Sequence, residues 1–64
     1  MQIEIRRDDA EMLRDLLRRR VVELDIEISR TDSRAFKQKL RQLDHAVERV
    51  VGELTAALER GGQP

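Results

Sequence analysis

Broken at every seventh residue, positions 34–60 read RAFKQKL RQLDHAV ERVVGEL TAALER. Phe36, Leu43, Val50 and Ala57 stand third in each group, and Leu40, Val47 and Leu54 stand seventh. Apolar residues at alternating spacings of three and four fall on one side of an α-helix, forming the a/d seam along which helices pack lengthwise. Ala46, Val51 and Leu58 broaden that seam. Gly61-Gly62-Gln63-Pro64 supplies a stop, because Gly is favoured just past a helix end and Pro beyond it. The pattern predicts a helix over about 33–60, with 61–64 as a disordered tail.

A second stripe lies upstream. Ala10, Leu13, Leu17, Val21, Leu24 and Ile28 recur at three or four, and Leu16 flanks them. Asp8 is the expected N-cap, with Glu11 three places on completing a variant of the capping box. Asp9 and Glu11 add negative charge where the helix dipole favours it. The predicted helix runs over about 8–30. One segment is ambiguous: from Val22 to Ile28 apolar and polar residues alternate strictly, as in a strand. No Gly, Pro or Asn separates it from the preceding stripe, and Leu24 and Ile28 stay in phase with that stripe, which favours helix. A strand here would pair with Ile3 and Ile5.

Thr31-Asp32-Ser33 is the only internal turn signal. All three residue types suit an N-cap, where a side-chain oxygen accepts a free backbone N–H; Asp32 or Thr31 is the expected cap. Without Gly the connection must be tight, as in an αα-hairpin. The two stripes then provide a register test. In an antiparallel pair, facing positions have a constant sum. Ile28 with Phe36, Leu24 with Leu40, Val21 with Leu43, Leu17 with Val47 and Ala10 with Leu54 all bring apolar onto apolar. The expected fold is all-α, an antiparallel two-helix hairpin.

Two features predict that hairpins pair. At 64 residues the chain buries only ~60% of the surface its unfolded form exposes, and without Cys it has no disulfide or thiolate-bound metal to compensate. The helix 2 stripe is also wider than one helix covers, and Val51 and Leu58 need cover from an extended arm at 1–7 or from a second protomer. A C2 homodimer forming an antiparallel four-helix bundle is the expected assembly. Its seam would comprise Leu13, Leu17, Val21, Leu24, Ile28, Phe36, Leu40, Leu43, Val47, Val50, Val51, Leu54 and Leu58. Met12, Val22 and Ile26 point away from the stripe of helix 1 and form a candidate second contact face.

Composition excludes much else. Thirteen basic residues balance thirteen acidic ones, which argues against a general polyanion binder. Phe36 is the only aromatic residue, so there is no stacking platform for single-stranded nucleic acid. No apolar run approaches the ~20 residues of a membrane span, and no signal-peptide core is present; the expected location is the cytoplasm. Absence of Cys fits a reducing compartment. Phased Leu, Val and Ile at zero net charge argue against disorder.

His45 is the only His, with Asp44 and Glu48 nearby. Di-metal bundles use Glu-x-x-His from several helices; here the order is reversed, and position 45 lies opposite the seam. Neither a metal nor a cofactor is expected. Arg18-Arg19-Arg20 fans out over about 200° of helix, and Arg19 and Arg20 each have Glu23 within reach. Glu23, Asp25 and Glu27 project to different sides. There is no phosphate loop, catalytic triad or zinc spacing, so the chain is read as non-enzymatic.

The run from Glu23 through Glu27-Ile28-Ser29-Arg30-Thr31-Asp32-Ser33-Arg34-Ala35 to Phe36 resembles a group of short bacterial proteins of unassigned function. In these a Leu-rich helix ends in Glu-Ile-x-x-Thr-Asp, and Arg and Phe open a second helix. The resemblance spans the whole chain, and its specific part is Glu27, Ile28 and Thr31–Phe36. It implies a helical hairpin and no activity. Physically, Glu27, Arg30, Thr31, Asp32 and Arg34 read as a charge-and-cap cluster fixing the turn, with Phe36 as an apolar plug against Ile28. The tip could instead dock another protein. The leading expectation is a self-associating interaction or scaffold module. The alternative is a small regulatory nucleic-acid-associated protein using Arg6, Arg7 and Arg18–Arg20.

Overall fold

The computed structural model describes residues 3–61. Met1, Gln2 and the Gly62–Pro64 part of the expected tail lie outside the described residues. Two helices make up the fold, α1 (Arg7–Arg30) and α2 (Arg34–Gly61), joined by residues 31–33. They pack against each other. Arg7 Nη1 donates to the Leu58 carbonyl at 2.9 Å, so the start of α1 lies on the end of α2 and the pair is antiparallel. Residues 3–6 precede α1 without regular structure. No described helix is long and apolar enough to cross a membrane.

The segment Val22–Ile28 lies inside α1. Its alternation is overridden because Leu24 sits in phase with the upstream stripe and is completely buried.

Both expected caps require correction. Arg6, in an extended conformation, is the N-cap of α1 and makes no side-chain cap bond. The Ala10 N–H bonds the Arg6 carbonyl, so the helix begins before Asp8. Asp8 and Asp9 therefore lie in the first turn, acting on the exposed N–H dipoles as charges. Glu11 pairs instead with Arg7 at 3.6 Å. At the turn, Thr31 closes α1, extended in conformation and donating its N–H to the Glu27 carbonyl at 3.1 Å. Ser33, rather than Asp32 or Thr31, caps α2: its Oγ accepts the Phe36 N–H at 3.2 Å. Ser33 immediately precedes the helix, so the N–H three places on is the one in reach.

The third correction concerns which strip of α2 meets α1. Leu40, Asp44 and Leu58 are buried, while Val47, Val51 and Leu54 are half-buried. Phe36, Leu43 and Val50, expected to face α1, remain 52%, 47% and 42% exposed. Phe36 is therefore not a plug over Ile28, and Leu43 is not enclosed against Val21. The row Leu40–Val47–Leu54 has an apolar strip on either side, and one helix covers only one of them. α1 lies over the side carrying Val51 and Leu58. Leu58 is thus buried within a single chain, and Ile5 of the arm lines the same hollow.

The result is a single layer, 49 × 23 × 14 Å. Its 14 Å depth is little more than one helix diameter of about 10–12 Å. The radius of gyration is 14.2 Å, against about 11 Å for a compact domain of this length.

Candidate interaction face

Helical geometry places the open strip of α2 beside one flank of α1. In an antiparallel pair, residues displaced in the same rotational sense from the contact line emerge on the same side of the layer. Leu13, Leu16 and Arg20 on α1 therefore share a side with Phe36, Leu43 and Val50 on α2. A groove of about 420 Å³ on this side is lined by Ile3, Ile5, Leu13, Val50, Glu53, Leu54 and Ala57. Leu16 is 61% exposed, and Ile3 and Ile5 are also open. The arm thus borders the open apolar side.

This face has a polar border. Arg20 Nη1 donates to Glu27 at 3.0 Å and to Glu23 at 3.3 Å. Glu27 first and Glu23 second hold the Arg20 guanidinium still further above its ordinary pKa. The pairing with Glu27 spans two helical turns and takes that carboxylate away from the turn. Among the described residues no ion pair joins Arg30, Asp32 or Arg34. The turn is held by backbone and cap bonds at Thr31 and Ser33, not by a charge cluster.

The remaining sequence-derived residues fall as follows. Leu13, Leu17, Val21 and Ile28 are half-buried around Leu24 on the inner side of α1. Met12, Val22 and Ile26 are exposed; at 100° per residue they share the side of α1 turned away from α2. His45 and Glu48 are exposed, whereas Asp44 is buried, so these three do not form one site. Among the described residues no three metal-ligating side chains converge. Arg7 is engaged by Glu11 and by the Leu58 carbonyl, and Arg20 by Glu23 and Glu27.

Asp44 is the residue that sequence reasoning passed over, having read it only as a neighbour of His45. Its signal was positional: Asp44 lies in phase with Leu40, Val47, Val51 and Leu58. It is 7% exposed, and its Oδ1 has neither solvent nor a hydrogen-bond partner. Thr55 Oγ1 is buried in the same condition. Hydrogen bonding with Asp44 first, then desolvation and repulsion from Asp44, raises the carboxyl of the exposed Asp25 on α1 above its ordinary range.

Comparison of the chain with protein-family models, with curated proteins and with solved structures finds no match.

Proposed function

We propose that this chain is a non-enzymatic interaction module whose hairpins pair through the Phe36–Leu43–Val50 strip, forming a homodimeric antiparallel four-helix bundle. The observation that carries this reading is an inversion of apolarity. α1 covers the α2 strip that includes Asp44 and leaves open the strip that holds Phe36, Leu43 and Val50. An apolar face left open by a one-layer fold calls for a second layer.

Surface area supports the same reading. The chain exposes 5502 Å², whereas a compact monomer of its 7.5 kDa mass exposes about 4,200 Å². The excess, about 1,200 to 1,300 Å² from these two figures, exceeds the ~800 Å² that each partner contributes to a standard interface. Exposed strips of Phe, Leu and Val bordered by charge have the make-up of such an interface, with an apolar centre and a polar rim.

Nucleic-acid binding has less support. Of Arg6, Arg7, Arg18, Arg19 and Arg20, two are already engaged within the chain, and the formal net charge is zero. Substituting Leu43→Glu tests the proposal. Leu43 is half exposed in the hairpin, so folding survives, while a twofold interface receives two buried carboxylates. Association should weaken at least 100-fold by light scattering, with helicity retained at high concentration. Unchanged association would overturn the assignment of this face.

A further inference from the structure

The open side of the layer carries a pattern on both helices. On α1, Leu16, Arg20, Glu23 and Glu27 follow one another at spacings of four, three and four. On α2, Lys39, Leu43, Ala46 and Val50 do the same. Each set therefore lies along one line of its helix. The level of the helices is given by their grooves: Leu13 lines one with Glu53 and Leu54, and Ala10 lines another with Ala57 and Leu58. Carried toward the turn at about 1.5 Å per residue, this register sets Leu16 level with Val50, Arg20 with Ala46, Glu23 with Leu43 and Glu27 with Lys39. Leu16, Leu43 and Val50 are exposed large apolar side chains. Arg20 is held by Glu23 and Glu27. Lys39 is exposed and, among the described residues, joins no ion pair.

Two hairpins can stack these sides about a twofold axis in two ways that keep neighbouring helices antiparallel. An axis across the helices sets α2 on α2 and α1 on α1. Seating Leu43 on Val50 of the second copy then brings Arg20 against its own copy, and seating Leu43 on its own copy brings Glu23 against its own copy. Like charges facing each other disfavour both. An axis along the helices sets α1 of each chain on α2 of the other and leaves every level unchanged. Leu16 then meets Val50 of the second copy, and Arg20 lies over Ala46, whose small side chain leaves room for the guanidinium and its two carboxylates. Glu27 meets the unpaired Lys39. We propose that the hairpins pair about this lengthwise axis, with Leu16 seated on Val50 and Glu27 paired with Lys39 at the rim. The proposal rests on the reading that hairpins associate through the open strip, and it adds a line of α1 to that interface. The ion pairs, one at each end of the twofold contact, select this stacking over the crosswise one.

The chain contains no Cys, so single introduced cysteines report contacts directly. Leu16→Cys, Leu43→Cys and Val50→Cys are made in separate full-length chains. All three positions are exposed in the hairpin, and helicity should be retained. The chains are mixed in equimolar pairs in a glutathione redox buffer, and covalent products are identified by intact mass. A disulfide needs Cα atoms within about 7 Å, and between single-Cys chains only a contact across the interface supplies that. Leu16→Cys with Val50→Cys should give the mixed covalent dimer, and neither should cross-link alone. Cross-linking of Leu43→Cys alone or with Val50→Cys, or of no pair, in a chain that sediments as a dimer would overturn this pairing without touching the reading it rests on. A chain that sediments as a monomer at every concentration would remove both. Charge exchange gives a second readout. Lys39→Glu should weaken association about tenfold or more, and adding Glu27→Lys to the same chain should restore it. Restoration by Glu53→Lys instead would mean that α2 stacks on α2, and the lengthwise axis would be refuted.

Discussion

Truncating Leu24 to Ala should be the most damaging single apolar substitution in the hairpin. Among the described residues Leu24 is the only large side chain fully buried, at 0% exposure. Removing three carbons at ~0.8 kcal/mol each forfeits about 2.4 kcal/mol of transfer free energy. The cavity left behind adds to this, giving the 2–5 kcal/mol range of such substitutions. The layer is only 14 Å deep, so neighbours can relax into the gap, and the lower half of the range, about 2–3.5 kcal/mol, is expected. A chain of 64 residues at ~0.05–0.15 kcal/mol per residue holds about 3–10 kcal/mol in total. The substitution therefore consumes a large share of the stability. Val22→Ala, two residues away, is the control. Val22 is 60% exposed, and Ala is the better helix former, so its effect should stay within about 0.5 kcal/mol. Urea unfolding followed by helicity, at a single protein concentration, measures both. Equal midpoints for the two variants would refute the placement of Leu24 at the centre of the contact.

Three further outcomes follow from local geometry. Ser33→Ala removes the acceptor for the Phe36 N–H and should cost about 0.5–2 kcal/mol in thermal unfolding, as for other lost caps. Gly52→Ala should stabilise by about 0.5–1 kcal/mol in the same assay, because an added Cβ meets nothing within 4 Å and a helical Gly carries an entropic penalty. Arg7→Ala frees the Leu58 carbonyl, so amide exchange in the last turn of α2 should accelerate while exchange around Leu24 stays slow.

The all-helical hairpin was legible in the sequence because both stripes keep the helical period and Thr31–Ser33 interrupts them with cap-forming residues. The antiparallel arrangement follows from that short connection. The side on which α1 settles was not legible. The apolar band of α2 is wide enough to accept α1 on either flank of the Leu40–Val47–Leu54 row, and counting hydrophobic residues favours the flank that stays open. Asp44 was hidden for the same reason, since its burial depends on that choice. Cap positions were displaced because several polar residues at each helix start could serve, and only the start of the backbone hydrogen-bond ladder selects among them. The turn cluster failed as a unit because Arg20, two turns upstream, competes for Glu27.

Sedimentation equilibrium across a wide concentration range, with helicity recorded on the same samples, decides whether the open strip of α2 is the contact between two copies of this chain. The expected result is a mass of twice 7.5 kDa that dissociates on dilution, with helicity falling as the second layer is lost. A fully helical monomer at all concentrations would contradict it.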